Sequence, residues 1–468
     1  MKKKSNRFVV LLAGGGGSRF WPQSRTLEPK QFLHLDKGRS LFRQSLDRVV
    51  SLVPRDHIYI VTSSLYRDII RLEALLFKVP EANLLFEPQP KNTAPAIAFA
   101  VKIILDRCHD EDARVAVMPC DHLIKNPKRF SSLLKRAFDH GQDRLIIFGI
   151  PPHRPATGYG YIKVSAAAGV LRKVFKFCEK PDLKTAKRFL KNGHYFWNSG
   201  IFVGSVRQFS ALIKANLPLL FKQMFSSKTK DVLANWDRIQ PISFDYGVLE
   251  KTKNIGMILA SGLDWSDLGS WQAWDELQEK DKNSNLFLAD TIDIDSRDLT
   301  VLSQNRLIAT IGLKGLVVVD TPDALLVADK KRSEEVKKVV EVLKKGKREE
   351  HYAHTTVKRP WGSYTVLNVG PRFKVKLVEV KPHKALSLQY HKKRSEHWVV
   401  TEGTAKIVKG RRSYFLYENQ STFIPKACIH RIINPTDSVL KIIEVQAGDY
   451  LGEDDIVRLK DDFGRTEM

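Results

Sequence analysis

The 468-residue sequence predicts an α/β domain with a mostly parallel sheet, then a short β-rich segment, then an all-β barrel. Three observations support this prediction. A chain of this length exceeds one ordinary hydrophobic core. Apolar runs alternate with helix-like stretches up to about residue 278, and short strands separated by turn residues follow them. The expected divisions are the α/β domain 1–284, the β-rich segment with a helix 285–346, a linker 347–358 and the barrel 359–468.

The first domain is predicted from continuous apolar runs, which suit strands buried on both faces of a sheet. Helix-like stretches between these runs predict right-handed crossovers that join parallel strands. The runs are Phe8–Ala13, Ile58–Thr62, Val115–Met118 and Ile146–Ile150, and the helical stretches include Tyr66–Phe77 and Pro95–Asp106.

The pattern changes after residue 285 to short apolar strands broken by Asp, Gly and Asn. A helix is expected next, with Ser333 as its N-cap and Gly346 at its end. Beyond residue 359 apolar residues alternate with hydrophilic ones, which predicts a small barrel or two-sheet sandwich. The strands expected in the connecting segment are Leu299–Leu302, Leu307–Ile311, Leu316–Val319 and Ala324–Val327.

The composition is that of an ordinary globular protein, with 43% hydrophobic and 28% charged residues. No apolar run is long enough to span a bilayer, so no membrane partner is expected. The formal charge of +25 attracts anions, but the basic residues are mixed with acids and no nucleic-acid-binding motif accompanies them. A solvated basic surface is therefore favoured over specific nucleic-acid binding. Four scattered cysteines without a CxxC fit a reducing cytoplasm.

A glycine-rich loop, Gly14–Gly17, follows the first predicted strand. The backbone N–H groups of such a loop can approach a polyphosphate closely. No Gly-Lys-Ser/Thr closes the loop, so it is not a Walker motif, and Arg19 replaces the last glycine of a dinucleotide motif. Arg19 and Lys30 can neutralise charge on a departing pyrophosphate. A Gly-rich turn with two surface cations is the structural alternative.

Seven motifs in a fixed order give the sequence a more specific resemblance. They resemble the signatures of sugar-nucleotide pyrophosphorylases and, in particular, of the mannose-1-phosphate guanylyltransferase family. The departures are mild, although Lys91 stands where Arg is usual and would lose bidentate phosphate recognition. The motifs, in chain order, are Leu12–Pro22 with Pro29–Gln31, Glu87–Pro88 with Asn92–Pro95, Pro119–His122, Gly158–Tyr161, Phe177–Pro181, Trp197–Gly200 and Trp265–Trp271.

The resemblance implies a Rossmann-like nucleotidyltransferase fold for the first domain and roles for its motif residues. It implies catalytic roles for Arg19, Lys30, Asp121, Lys180 and Asp267. It implies nucleotide binding by Leu12, Ala13, Gly14, Gly15, Gly16, Gly17, Asn92 and Thr93. It implies binding of the sugar phosphate by Gly158, Tyr159, Glu179, Lys180 and Asn198.

Two carboxylates of these motifs are predicted to share a Mg²⁺ ion. Asp121 ends an apolar strand, where open α/β folds place their ligands, and Asp267 lies in a short turn after the strand predicted at Ile255–Ala260. Mg²⁺ prefers oxygen ligands and retains waters and substrate phosphates. The ion would bridge the sugar phosphate and the nucleotide α-phosphate. Positioning and charge stabilisation then do most of the catalysis, because a sugar phosphate is already a competent nucleophile.

A second group of potential ligands lies in the β-rich tail, at Gln389, His391, Glu396 and His430. Residues two apart on a strand share a face, so Gln389 and His391 can converge on one ion. The pattern resembles the cupin fold and the metal site of phosphomannose isomerases, which implies a divalent Zn, Co, Mn or Mg ion. The same resemblance implies a catalytic role for Arg394. Related fused enzymes usually carry His where Lys393 stands, and position 393 lies outside the ligand set preferred here.

Together these resemblances identify the sequence as similar to the bifunctional mannose-1-phosphate guanylyltransferase/mannose-6-phosphate isomerase family, also called type II phosphomannose isomerases. The implied substrates are GTP, mannose 1-phosphate and mannose 6-phosphate, in GDP-mannose synthesis for a polysaccharide. A cytoplasmic homo-oligomer is expected. Two alternatives stay open: a guanylyltransferase with an inactive, structural cupin, and a sugar-nucleotide sensor or nucleic-acid-binding regulator that reuses these folds.

Overall fold

The computed structural model describes residues 6–34, 38–141, 144–165, 169, 171–304 and 306–462. The chain divides into two compact units, the first containing residues up to 321 with 325–351, and the second containing 322–324 with the residues from 352 onward. The predicted β-rich segment belongs largely to the same compact unit as the α/β domain. Among the described helices, none combines the length and the apolar character needed to cross a bilayer.

The α/β part of the first unit follows the predicted alternation of strands and helices. The predicted apolar runs become strands whose ends differ by at most one residue from the expected ones. The elements are β1 Arg7–Leu12, α1 Leu41–Val49, β2 Ile58–Ser63, α2 Arg67–Leu76, β3 Leu84–Glu87, α3 Thr93–Cys108, β4 Arg114–Pro119, β5 Leu123–Ile124, α4 Pro127–His140, β6 Leu145–Ile150, β7 Tyr161–Val164, β8 Leu171–Cys178, α5 Leu183–Asn192, β9 Tyr195–Ser205, α6 Val206–Asn216, α7 Pro218–Phe225, α8 Thr229–Ala234, α9 Phe244–Gly247, β10 Ile255–Leu259, β11 Trp265–Ser266 and α10 Trp271–Asp275.

A nine-stranded sheet of described residues organises this part, in the order β3-β2-β1-β4-β9-β6-β10-β8-β7. Strands β3, β2, β1 and β4 are parallel, as are β6 and β10, whereas β9 runs antiparallel to β4 and β6. Both faces of β1 are buried, because Phe8 and Val10 join one apolar cluster and Val9 and Leu11 join the other. Burial on both faces explains the continuous apolar run. The predicted α/β architecture is confirmed.

The β-rich segment forms two small sheets, β12-β14-β16-β17 and β13-β15. All of their pairings except that of β16 with β17 are parallel. The prediction that Ser333 caps the following helix is wrong, because Ser333 lies in a preceding 3₁₀ helix and its Oγ accepts a hydrogen bond from the Gln272 N–H. The elements are β12 Leu286–Leu288, β13 Thr291–Ile294, β14 Thr300–Leu302, β15 Ile308–Ile311, β16 Leu316–Asp320, β17 Leu325–Asp329 and α11 Val336–Lys345.

The second unit confirms the predicted all-β part as two antiparallel sheets that share one apolar core. The sheets have the orders β18-β19-β20-β27-β22-β25 and β24-β23-β26-β21-β28. The strands are β18 Thr356–Arg359, β19 Gly362–Gly370, β20 Phe373–Val380, β21 Leu388–His391, β22 Arg394–Glu402, β23 Ala405–Lys409, β24 Arg412–Leu416, β25 Ser421–Ile424, β26 His430–Ile433, β27 Leu440–Gly448 and β28 Ile456–Lys460.

Candidate active sites

The glycine loop leaves the carboxyl end of β1 and approaches charged side chains closely. Gly17 has a φ of +60°, and a Cβ at this position would overlap the side chain of Lys30. A Cβ on Gly15 would lie 3.8 Å from Asp121 Oδ2, whereas a Cβ on Gly16 would have no heavy atom within 4 Å. The loop therefore borders an acidic and a basic group and leaves open space at its centre.

Leu12 and Ala13, the two predicted nucleotide-binding residues before the glycines, anchor the loop through backbone hydrogen bonds. Leu12 ends β1, and the Ala13 N–H donates to the Val61 carbonyl at 2.8 Å. The Ala13 carbonyl accepts from Gln31 Nε2 at 3.2 Å and from Thr62 Oγ1 at 2.9 Å. Because both backbone groups of Ala13 already have protein partners, the structure gives this residue the role of fixing the base of the loop.

Lys30 is a buried cation that links the carboxylate of Asp121 to the backbone of Asp267. Its Nζ lies 2.8 Å from Asp121 Oδ2 and donates to the backbone carbonyl of Asp267 at 2.6 Å. Burial raises the pKa of Asp121, but the charges of Lys30 and His122 outweigh burial and hold that pKa below its usual range. Asp121 is therefore a carboxylate at neutral pH, close to Asp267.

The carboxylate of Asp267 is oriented by two donors. Its Oδ1 accepts from the Tyr159 hydroxyl at 2.6 Å and from the Gly269 N–H at 3.1 Å. Strand β11, which precedes Asp267, pairs with β5, which follows Asp121. This pairing brings sequence-distant motifs together, including Tyr159 from the predicted sugar-phosphate motif.

The donor atoms of this cluster fit a Mg²⁺ ion. Carboxylate oxygens are the ligands that Mg²⁺ prefers, and Asp121 and Asp267 supply them. Lys30 occupies one oxygen of Asp121, while Tyr159 and Gly269 occupy Oδ1 of Asp267. Among the described residues, no side chain donates a hydrogen bond to Asp267 Oδ2, and His122 Nε2 lies 3.8 Å from Asp121 Oδ1, beyond hydrogen-bond distance. One oxygen of each carboxylate can therefore bind an ion.

A second cluster forms around Asn198 and contains most of the predicted sugar-phosphate residues. Asn198 Nδ2 donates to Asp245 Oδ1 at 2.8 Å, and its backbone N–H donates to the Gly160 carbonyl at 2.8 Å. A Cβ on Gly160 would lie 2.5 Å from Glu179 Oε2, and Glu179 Oε1 lies 2.8 Å from Lys180 Nζ. The cluster thus combines a half-exposed cation, suited to a phosphate, with groups that hydrogen-bond hydroxyls.

Asp245, a member of this cluster, was missed by the sequence analysis. It lies in the short helix α9, where burial and then the charge of Glu179 raise its pKa to about 7. A single Asp in a four-residue helix has neither the spacing nor the periodicity that would mark it. Its contact with Asn198 makes it a supporting residue of the predicted sugar site.

Hydrogen bonds and ion pairs of the described residues do not join Arg19, Asn92 or Thr93 to either cluster. Arg19 is half-buried in the 3₁₀ helix Ser18–Phe20 and makes no such contact with a described residue. Asn92 Oδ1 accepts from the Thr93 N–H at the start of α3, and Thr93 Oγ1 accepts from the Phe244 N–H. These contacts stabilise a helix start, and the nucleotide-binding roles of Asn92 and Thr93 stay predictions.

Three buried side chains of the second unit form a candidate metal centre. His391, Glu396 and His430 each offer one ligand atom, and these atoms lie within 4.8 Å of one another. The Nε2 atoms of both histidines face the Glu396 carboxylate, His391 at 3.0 Å from Oε1 and His430 at 3.8 Å from Oε2, so the three side chains converge on one point. The buried His430 Nε2 makes no hydrogen bond with a described residue, an unfavourable state that a bound ion would relieve. His430 Nδ1 lies 2.9 Å from the Cys428 carbonyl, which orients the ring. Burial lowers the pKa of His430 and favours the neutral imidazole that binds metals.

Gln389 and Arg394 line the same cavity as Glu396. Gln389 on β21 is in register with His430 on β26, so its side-chain amide belongs to the same region of the barrel. Arg394 is buried and donates through Nε to Glu396 Oε1 at 3.2 Å and through Nη1 to the Gly452 carbonyl at 2.9 Å. Gln389 and Arg394 therefore place a side-chain amide, whose Oε1 accepts a hydrogen bond from Ser387 Oγ at 2.7 Å, and a fixed cation in the cavity that Glu396 lines.

Lys393 points away from this centre. Its side chain is exposed, and its Nζ lies 4.5 Å from the centre of the Tyr450 ring. A lysine at this position therefore displaces none of the three ligand atoms, which supports the ligand set preferred from the sequence.

The cavity beside the candidate metal centre contains charged residues that the sequence analysis did not single out. Lys376 Nζ lies 2.6 Å from Glu453 Oε1, and Glu444 accepts a hydrogen bond from Gln446 Nε2 at 2.7 Å. Burial raises the pKa of Glu444 to about 7. A sequence signal existed, because the buried positions of β27 change along the strand from apolar, as at Ile442, to polar at Glu444 and Gln446.

An α/β sheet with a glycine loop at its edge, followed by a two-sheet barrel with a candidate metal centre, defines the architecture of a nucleotidyltransferase fused to a cupin. Family comparisons match the nucleotidyl transferase family at residues 8–284, the MannoseP isomerase/GMP-like beta-helix domain at 289–343 and the mannose-6-phosphate isomerase C-terminal family at 346–461. The chain belongs to the nucleotidyl transferase family, in the group that continues into a mannose-6-phosphate isomerase C-terminal domain. The resemblance inferred from the motifs is confirmed.

Relatives match this chain over nearly its whole length. The alginate biosynthesis protein AlgA of Pseudomonas putida is 40% identical, and the match covers 98% of this chain and 96% of the relative. A mannose-1-phosphate guanylyltransferase of Klebsiella pneumoniae is 37% identical over 97% of this chain and 99% of its own. The crystal structure of a mannose-1-phosphate geranyltransferase from Thermus thermophilus matches with a TM-score of 0.66 and 29% identity, covering 72% of this chain and 99% of that one. The nucleotidyltransferase and cupin isomerase families generally use divalent metal ions.

Proposed function

We propose that the first unit transfers a guanylyl group from GTP to mannose 1-phosphate, which gives GDP-mannose and pyrophosphate. The observation that carries this proposal is the cluster of Lys30, Asp121 and Asp267 beside the glycine loop. The relative from Klebsiella pneumoniae supports the choice of guanine and mannose by its name. Because GTP and sugar phosphates are cytoplasmic metabolites, the proposal places the reaction in the cytoplasm.

The glycine loop and the charged residues near it interact with different parts of the nucleotide. The N–H groups of Gly14–Gly17 bind the phosphates, and Arg19 neutralises the charge that collects on the leaving pyrophosphate. Asp121 and Asp267 would hold the Mg²⁺ ion, which would supply charge neutralisation for the two anionic substrates. Lys30 holds Asp121 in its charged form and in a fixed position.

The residues of the second cluster position the nucleophile. Lys180 binds the phosphate of mannose 1-phosphate. Glu179 accepts hydrogen bonds from the sugar hydroxyls, and Asn198 can donate hydrogen bonds to them and accept hydrogen bonds from them. A phosphate oxygen of the sugar attacks the α-phosphorus of GTP, where a new P–O bond forms as the bond to the bridging oxygen breaks. The bridging oxygen leaves with the β- and γ-phosphates as pyrophosphate.

A substrate panel tests this proposal. Protein with Mg²⁺ and mannose 1-phosphate is incubated with GTP, ATP, UTP or dTTP, and pyrophosphate and sugar nucleotide are measured. GTP is expected to be strongly preferred, and Asp121→Asn is expected to lower kcat by about 100-fold or more, because an ion ligand is lost. Asp139→Asn, an exposed carboxylate on α4, serves as the matched control. Absence of any sugar nucleotide, or full activity of Asp121→Asn, would contradict the proposal.

A second function is favoured by the buried trio His391, Glu396 and His430: interconversion of mannose 6-phosphate and fructose 6-phosphate. A divalent ion held by the trio, with Gln389 as a further oxygen ligand, would polarise the carbonyl and hydroxyl oxygens of the sugar. The ion is Zn²⁺, Co²⁺, Mn²⁺ or Mg²⁺. Arg394, fixed beside Glu396, stabilises negative charge on those oxygens. A cupin without activity is the competing interpretation.

Metal content and turnover, measured together, decide between these two interpretations. The purified protein is loaded with each ion in turn, and bound metal is quantified beside the conversion of mannose 6-phosphate. His430→Ala is expected to lose both, whereas His397→Ala, an exposed histidine on β22, retains both. Stoichiometric metal without turnover for every ion would reduce the cupin to a structural domain.

A further inference from the structure

The cavity beside the candidate metal centre is lined by three carboxylates among its described residues, Glu396, Glu444 and Glu453. An aldose–ketose isomerisation requires a group that moves a proton between adjacent carbons, and carboxylates serve in this role. Two of these three carboxylates already interact with other groups. Glu396 belongs to the metal ligands, and Glu453 Oε1 forms an ion pair with Lys376 Nζ at 2.6 Å.

Glu444 has neither a metal-binding position nor an ion pair with a described residue. It is buried on β27, and its Oε1 accepts a single hydrogen bond, at 2.7 Å, from Gln446 Nε2. Its cross-strand partner on β20 is Lys376, so a positive charge lies on the neighbouring strand without forming an ion pair with the carboxylate. A buried carboxylate with one neutral donor is unfavourable for folding, which indicates that it serves function.

The sheet register fixes Glu444 close to the metal ligands. Gln446 lies opposite Glu396 in the pairing of β27 with β22, and its Nε2 also lies 3.3 Å from Glu396 Oε1. Glu444 is two residues away on the same face of β27, opposite Trp398. The side-chain amide of Gln446 therefore orients a cavity-lining carboxylate one position along the sheet from a metal ligand.

We propose that Glu444 is the catalytic base that moves the proton between C1 and C2 of the sugar phosphate. This inference rests on the isomerase function proposed above and adds to it the residue that performs the transfer. Gln446 is the positioning residue that holds this carboxylate.

The proposed transfer balances without any further reactant. Glu444 removes the proton from C2 of the open-chain aldose, the electrons of the C2–H bond form a C1–C2 double bond, and the carbonyl electrons move to O1. The positive charge of Arg394 stabilises the resulting anion. The hydroxyl proton then passes from O2 to O1, and Glu444 returns its proton to C1. A C1–H bond forms, C2 becomes the carbonyl carbon, and the ketose is released.

The experiment compares Glu444→Gln with the parent protein in D₂O, both loaded with the same metal. Four quantities are measured: kcat and KM for mannose 6-phosphate, deuterium incorporated at C2 of the recovered substrate, bound metal, and the melting temperature. The variant is expected to lose about 100-fold or more in kcat, since general acid–base groups contribute 10²–10⁴-fold. KM, metal content and melting temperature are expected to change little, and exchange at C2 is expected to disappear.

The matched control is Glu402→Gln, an exposed carboxylate of β22 paired with Lys441, which should behave as the parent. A Glu444→Gln variant that keeps more than a tenth of kcat, or that loses its metal together with its activity, would overturn the proposal. In the second case Glu444 would be a structural support of the ligands. If the parent protein itself lacks turnover, the isomerase function fails first and this inference fails with it, so the two failures are distinguishable.

Discussion

Gly17 lies at the junction between the glycine loop and the 3₁₀ helix that carries Arg19, and its backbone is left-handed. A side chain at this position would meet two costs: the strained conformation itself and an overlap with Lys30. Lys30 in turn contacts Asp121 and Asp267, so the absence of one Cβ supports the geometry of the whole cluster.

Gly17→Ala is therefore expected to lower the free energy of unfolding by about 1–2 kcal/mol or more. Gly16→Ala is the matched control, because its φ is not in the left-handed region and open space surrounds it. The control should change stability by less than about 0.5 kcal/mol. Urea denaturation of the two variants measures the difference, and equal stabilities would contradict the role assigned to Gly17.

Tyr159 is the side chain that orients the carboxylate of Asp267. Tyr159→Phe removes this hydroxyl donor and is expected to lower kcat of guanylyl transfer by about 10- to 100-fold, the value of one hydrogen bond to a charged group, with little change in KM. Tyr195→Phe is the control, since the Tyr195 ring stacks on Phe189 and its hydroxyl makes no hydrogen bond with a described residue. Steady-state kinetics of the two variants measure the effect, and an unchanged kcat in Tyr159→Phe would show that this hydroxyl does not contribute to catalysis.

Asp245 predicts a pH-dependent contribution to stability. Its folded pKa of about 7 lies above the ordinary value of 3.8, so the folded protein keeps a proton that the unfolded chain releases. Stability is therefore lost as pH rises from about 4 to about 7. Asp245→Asn removes this loss while keeping an acceptor for Asn198. The free energy of unfolding of the variant minus that of the parent should therefore be larger at pH 8 than at pH 5.

Asp231→Asn, at an exposed aspartate of α8, provides the reference for that comparison. Its difference from the parent should be the same at pH 5 and pH 8. Chemical denaturation at both pH values gives the four free energies required. If Asp245→Asn also differs from the parent by the same free energy of unfolding at pH 5 and pH 8, the raised pKa of Asp245 would be contradicted.

At the scale of elements, strand pairing assembles the sites from distant motifs. The pairing of β5 with β11 joins the segments that follow Asp121 and precede Asp267. Buried strands such as β1 were predictable because their apolar runs are complete in the sequence. The motif residues Lys30 and Asp121 were predictable through resemblance, but their ion pair was not, since pairing across 90 residues depends on tertiary structure.

The roles of Ser333 and Asp245 could not be predicted from the sequence, for physical reasons. Ser333 is a good N-cap by residue type, yet a 3₁₀ helix precedes α11 and uses its hydroxyl to bind Gln272. Asp245 lies in a helix too short to show periodicity. Glu444 and Gln446, in contrast, interrupt the apolar alternation of β27, and that interruption was a readable sign of a polar cavity.

Lys330 links helix α10 to the β-rich segment through a buried ion pair with Asp275 and a half-exposed one with Asp298. Its Nζ lies 3.2 Å from Asp275 Oδ1 and 2.8 Å from Asp298 Oδ1. Lys330→Met leaves these carboxylates without one of their cations and is expected to lower the free energy of unfolding by about 3 kcal/mol. Lys331→Met, at an exposed neighbour, should cost less than about 0.5 kcal/mol. Thermal denaturation compares the pair, and equal costs would contradict a structural role for Lys330.

At the scale of the whole molecule, each candidate site is built within one compact unit. The transferase cluster uses residues 12–267 of the first unit, and the cupin cluster uses residues 359–458 of the second. The net charge of +25 adds a general attraction for anionic substrates and assigns no further site.

The most direct test of the central claim, that one chain carries two independent catalytic centres, is a paired assay of Asp121→Asn and His430→Ala. GDP-mannose formation and conversion of mannose 6-phosphate are measured for both variants and for the parent. Asp121→Asn should lose at least about 100-fold in the first activity and keep the second, and His430→Ala should show the reverse. Loss of both activities in either variant, or loss of neither, would contradict the assignment of two separate centres.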